Sequence, residues 1–215
     1  MKSILISIKP KWCELIASGK KTIEIRKTRP KLETPFKCYI YCTKPKMITK
    51  FVFKPEDYEG YPEYMRPEKP VFFKQPDASS PFCSVVNGNG KVIGEFICNK
   101  IDRLAVCGYD NRNTELRRVD DNLTAYDLDY DYLNRCQLSL DNLKKYSNGG
   151  GLYGWHISNI VIYDKPKELS DFSNSSSRLA FSKTKDGFPW KWSGMTKPPQ
   201  SWCYCEELEN EPTLQ

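Results

Sequence analysis

The sequence predicts an α+β chain built as a small, mixed and mostly antiparallel β-barrel, with short flanking helices and an irregular insertion. Three observations carry this. Several stretches alternate apolar and polar residues with period two, as Lys37-Cys38-Tyr39-Ile40-Tyr41-Cys42 does. Helical periodicity is confined to short segments. Five to seven strands with few helices suit a sheet closed on itself.

The opening residues Ile4 to Ile8 read as a first strand, and their apolar core is too short for a signal peptide. Lys9 to Ser18 follows as a short helix. Pro10 suits the first helical position, where a missing N–H costs nothing. Trp12, Leu15 and Ile16 share one face, and Gly19 is placed to end the helix in the left-handed conformation.

Period two then returns. Ile23 and Ile25 point one way, while Thr22, Glu24 and Arg26 point the other. A carboxylate and a guanidinium two residues apart on one strand face can pair or grip a common ligand. Lys21 stands at the mouth of that strand. The plain alternative is a surface strand carrying a modest salt bridge.

Residues 44–90 hold seven prolines, with Tyr58, Tyr61, Tyr64, Phe72 and Phe73 interleaved. That density excludes a long helix and a central strand, so an insertion packed on the barrel is expected, closing in a turn at Asn87-Gly88-Asn89-Gly90. Lys91 to Leu104 reads as a strand, with Gly94 allowing a bulge and Glu95 a carboxylate in an apolar run. That residue is either an edge glutamate facing water or a second acid facing Lys21. Asp120 to Ser147 is helical in character, with Thr124 and Ser139 as caps. Leu152 to Tyr163 is a further strand carrying His156, whose default role is structural hydrogen bonding. Ser201 to Tyr204 is the closing strand, and residues 207–215 are an acidic tail.

Across residues 1–54, 14 Lys and Arg stand against three Glu, a surplus of +11; with +6 for the whole chain, the remainder carries −5. A basic first quarter suits a polyanion, although solvated surface lysines alone would give the same count. Nine cysteines without a signal peptide point to reduced thiols and a cytoplasmic location. With no Cys-x-x-Cys and one histidine, no metal site and no cofactor are expected. No apolar run is long enough to span a membrane, so no membrane partner is expected.

Gly19, Lys21, Glu24 and Arg26 fit G-x-K-x-x-E-x-R, which resembles the signature of the ASCH family, a branch of the PUA-like β-barrels. The Ser7 to Trp12 stretch, Gly94 to Ile97 and Pro198 to Tyr204 also resemble family members. The resemblance implies a single PUA-like domain over residues 1–206, with its insertion at 44–90. It implies a cleft lined by Lys9, Lys21, Glu24 and Arg26, joined by Glu95.

The first expectation is RNA or modified-nucleotide binding. Lys9, Lys21 and Arg26 would hold phosphate. Trp12, Trp155 or Trp202 would stack on a base, and Glu24 or Glu95 would accept from a base amino group. The second is a hydrolase of a modified nucleoside or of RNA, for which the family also supplies examples. Lys21 would be the activated group, Glu95 would move the proton, and Thr22 or Glu24 would orient the substrate. The amidohydrolase branch has a threonine where this chain has Glu24, which favours binding. A third class, a protein-interaction module, would rest on the insertion.

Overall fold

A computed structural model describes residues 2–44, 50–53, 71–74, 86–87, 90–108, 114–174, 179–180, 191–192 and 194–208. These fall into two compact units: Met1–Glu14, Lys37–Glu95 and Val161–Gln215 form the first, and Leu15–Phe36 with Phe96–Ile160 the second.

In the first unit, β1 (Ser3–Ile8) is buried along its whole length. It runs parallel to β3 (Phe36–Cys42), pairing Ile4 with Cys38 through to Ile8 with Cys42. A strand covered on both faces needs a near-continuous apolar run, which Ser-Ile-Leu-Ile-Ser-Ile supplies. The other edge of β1 is antiparallel to β14 (Trp202–Glu207), with Ser3 opposite Cys205 and Ile6 opposite Trp202. Outside β14 lies β11 (Phe172–Ser173). Leu5, Tyr39, Tyr41, Val92, Phe172 and Met195 are among the residues packed into this unit's core.

Three further strands lie in the insertion: β4 (Lys50–Phe53), β5 (Val71–Lys74) and β6 (Val86–Asn87), with β4 in the middle. The expectation that prolines exclude a central strand is corrected here. Each strand is short enough to fit between them, β4 lying between Pro45 and Pro55 and β5 between Pro70 and Pro76. The expected turn at 87–90 is described only at its ends: Asn87 belongs to β6, and Gly90 has φ +77°.

β7 (Val92–Gly108) begins in the first unit and continues into the second. There it pairs with β8 (Thr114–Val119), a strand not foreseen, which in turn pairs with β9 (Ala125–Tyr126). β10 (Leu152–Lys167) is antiparallel to β2 (Ile23–Arg26), placing Glu24 opposite Trp155 and Ile23 opposite His156. Ile23, Ile25, Leu104, Leu116, Cys136 and Leu143 meet in this unit's core.

α1 (Pro10–Ala17) starts at its proline, and Gly19 has φ +73° where the helix ends. Thr124 does not cap a helix: Asp120 takes its backbone N–H in a turn, and Asp129 caps α2 (Tyr130–Cys136) by accepting from Tyr132 N at 2.7 Å. Ser139 caps α3 (Leu140–Ser147) as expected. A short pair, β12 (Leu179–Ala180) with β13 (Lys191–Trp192), completes the described strands.

Among the described residues neither unit's strand pairing closes on itself; the first ends on β11 and the second on β2 and β9. The expected closed barrel is therefore replaced by mixed sheet with three helices. The acidic tail starts later than expected, because Glu206 and Glu207 pair with Ser173 and Phe172. Residues 209–215 lie outside the described residues.

Candidate functional site

The alternation read in β2 is present, but both of its faces are covered. Ile23 and Ile25 enter the core, and on the other face Glu24 and Arg26 are only 6% and 8% exposed. Lys21 is 2% exposed. Three buried charges this close must neutralise one another. Glu24 bridges the two cations, with Oε2 at 3.3 Å from Lys21 Nζ and Oε1 at 3.1 Å from Arg26 Nη2.

Lys21 does a second job. Its Nζ donates to Cys136 O at 2.6 Å and to Ile23 O at 2.9 Å. Cys136 is the last residue of α2, so its carbonyl has no partner within the helix. An ammonium there satisfies that oxygen and balances the partial negative charge at the helix end. The backbone adds to the grip: Thr22 N donates to Arg135 O at 3.0 Å, and Ile157 N to Thr22 O at 2.9 Å.

A second charged group adjoins the first. Asp102 on β7 is 5% exposed, with Oδ2 at 2.6 Å from His156 Nε2 and Oδ1 at 2.9 Å from Lys100 Nζ. Burial works against this carboxylate, but the His156 and Lys100 contacts outweigh it and hold Asp102 down to about 2. His156 Nδ1 lies 3.3 Å from Arg135 Nη2, and Arg135 Nε donates to Thr22 Oγ1 at 3.2 Å. Gly154, two residues before His156, leaves room for Tyr132, because a Cβ there would stand 2.1 Å from that hydroxyl.

Cys136 sits at the centre of both groups. Burial pushes its thiol up to about 12, against Lys21 and Arg135, which lower it, and with Glu24 and Asp102, which raise it. At neutral pH this favours the protonated thiol, and it is the Cys136 carbonyl that Lys21 engages.

The second unit thus brings together Lys21, Thr22, Glu24 and Arg26 from the motif. Reading the sequence missed Asp102 and Arg135, and left His156 without partners. Trp155, offered as a stacking platform, is 0% exposed and edge-on to Phe36 at 5.8 Å. It is a core residue with no face open to a base.

The remaining candidates belong to the first unit. Lys9 is exposed, and Trp12 is half-buried with Lys11 Nζ 5.0 Å from its ring centroid. Trp202 is half-buried and edge-on to Tyr204. Glu95 pairs with Lys37 at 2.8 Å and accepts from the Tyr163 hydroxyl. Partial burial raises its carboxyl, and these two donors pull it below the usual range. A cavity of about 480 Å³ in this unit, lined by Tyr41, Lys44, Leu169 and Pro198 among others, contains none of the candidates. Among the described residues, no group of acids, histidines and cysteines is placed to hold a metal, and no helix is long and apolar enough to cross a membrane.

This is a mixed α+β chain whose glycine–lysine–glutamate–arginine signature forms a buried charge cluster. Residues 6–88 match the family model of the ASCH domain. Among solved structures it is similar to ASCH from Zymomonas mobilis, at 18% identity and TM-score 0.47, over 97% of this chain and 89% of that one. Two mutants of that protein give 18% identity with TM-score 0.47, over 95% and 90% of the two chains, and 17% with 0.46, over 94% and 87%. No match is found among curated proteins.

Proposed function

We propose that this chain is an RNA- or nucleotide-binding module, with residues 1–206 acting as one functional domain that carries the 44–90 insertion. The reading rests on one observation. Lys20, Lys27, Arg29 and Lys31 surround the buried motif and are all exposed, whereas Glu33 is the one exposed carboxylate between residues 18 and 35. An excess of exposed cations over exposed carboxylates favours phosphate, because binding releases the counterions that the phosphates hold.

The motif and its surroundings then divide the work. Lys21, Glu24 and Arg26 brace the strand against α2, while the neighbouring exposed cations meet the ligand.

A hydrolase using Lys21 as base or nucleophile fits the geometry less well. Two carbonyls and a carboxylate engage its Nζ, which suits an ammonium rather than a free amine aimed at a substrate.

The test is binding of short single-stranded RNA over a salt series, with products followed by mass spectrometry. Replacing Lys20, Lys27, Arg29 and Lys31 together with glutamine should flatten the salt dependence by up to about four contacts' worth. An unchanged slope in the folded variant would sink the proposal, and a product would move the weight to an enzyme.

A further inference from the structure

Arg135 stands apart from the other charges of this cluster. Its side chain is half-buried, and its two hydrogen-bond partners, Thr22 Oγ1 and His156 Nδ1, are both neutral. A guanidinium can only donate, so Nδ1 must accept. The ring proton then sits on Nε2, against Asp102. An imidazole carries no negative charge and so offers Arg135 no compensation.

The nearby carboxylates are engaged elsewhere. Glu24 serves Lys21 and Arg26, while Asp102 serves His156 and Lys100. Among the described residues no carboxylate pairs with Arg135. A partly desolvated guanidinium without a counter-charge is costly to keep. Its planar fork is suited to an oxyanion arriving from solution.

The position at a helix C-terminus would ordinarily repel an anion. Here the Lys21 ammonium already covers the Cys136 carbonyl, which lifts that objection. Thr22, His156 and Arg135 itself are each only partly covered, so the guanidinium has a route to solvent.

We propose that Arg135, flanked by Thr22 and His156, binds one phosphate group of a nucleotide or an RNA backbone. This deepens the module reading and rests on it for the identity of the ligand. His156, oriented by Asp102, holds the guanidinium in place and so acts as a positioning residue.

His156 is the chain's only histidine, so one imidazole signal in a nitrogen-15 NMR spectrum reports the site directly. The full chain is titrated with inorganic phosphate, with a 5′-nucleoside monophosphate and with short single-stranded RNA. We expect a saturable His156 shift with each. Arg135→Gln should weaken binding about tenfold and lower the RNA salt slope by about one, and Arg135→Lys should restore part of the loss.

An imidazole signal unmoved by all three probes overturns the proposal, as does equal affinity in folded Arg135→Gln. If that variant does not fold, the wild-type titration decides alone. RNA binding with a silent His156 removes the subsite and leaves the module standing. A phosphate-dependent shift without RNA binding does the reverse.

Discussion

Each unit holds a network of paired charges on its strands, and the two networks are buried to different degrees. In the second, Lys21, Glu24, Arg26 and Asp102 are each under a tenth exposed; Glu24 holds Lys21 and Arg26, and Asp102 holds His156 and Lys100. In the first, Lys37, Glu95, Lys167 and Glu207 pair across the sheet with side chains between 22% and 39% exposed. Two tyrosines join them: Tyr163 donates to Glu95 and Tyr39 to Glu207 at 3.1 Å, and burial followed by the nearby carboxylates raises both phenols above their usual range. Water can replace a lost partner in the first network. It cannot in the second, so the same kind of pair carries very different weight.

Three substitutions test that contrast, the largest effect first. Lys21→Met leaves Glu24 with one cation and the Cys136 and Ile23 carbonyls without their donor. It should cost about 3–5 kcal/mol in a urea melt. A loss below 1 kcal/mol would mean that the cluster is far wetter than its burial indicates. Any binding defect of a Lys21 variant must therefore be read against its stability.

Asp102→Asn comes next. The folded carboxyl sits at about 2 against an ordinary 3.8. Its contribution is thus present above the ordinary value and is lost as pH falls through that window toward the folded one. The contribution is on the order of 2 kcal/mol. The wild type should lose this increment between about pH 4 and pH 2, and the asparagine variant should lack it at neutral pH. Parallel stability curves for the two proteins would contradict the assignment.

Glu95→Gln should have the smallest effect, no more than about 1 kcal/mol and reduced further by salt. Its carboxyl is also held low, so the small contribution fades as pH falls below the ordinary carboxyl range. A loss as large as that of Lys21→Met would erase the distinction between the units.

Local features were legible in the sequence. Pro10 and Gly19 bracket α1, Ser139 caps α3, and the alternation of β2 and β3 is as read. What escaped depends on partners far along the chain. Nothing near Glu24 says that its outward face is covered, since the covering residues follow more than a hundred positions later. Asp102 and His156 are 54 residues apart with no spacing rule to link them. Thr124 and Asp129 are both plausible caps from composition, and only the turn built on Asp120 decides between them. In the insertion, the short gaps between prolines admit strands that proline density alone argues against.

Lys21 also sets an order of events during synthesis. Its carbonyl partner Cys136 lies 115 residues downstream, and His156 is made later still. Until the ribosome has released the chain past those positions, the signature lysine, glutamate and arginine have nothing to close over them and stay hydrated. Such distant pairings form late and slowly. A fragment cut at residues 6–88, the stretch that carries the family match, would hold the whole signature and none of the α2 or β10 residues that lock it in place.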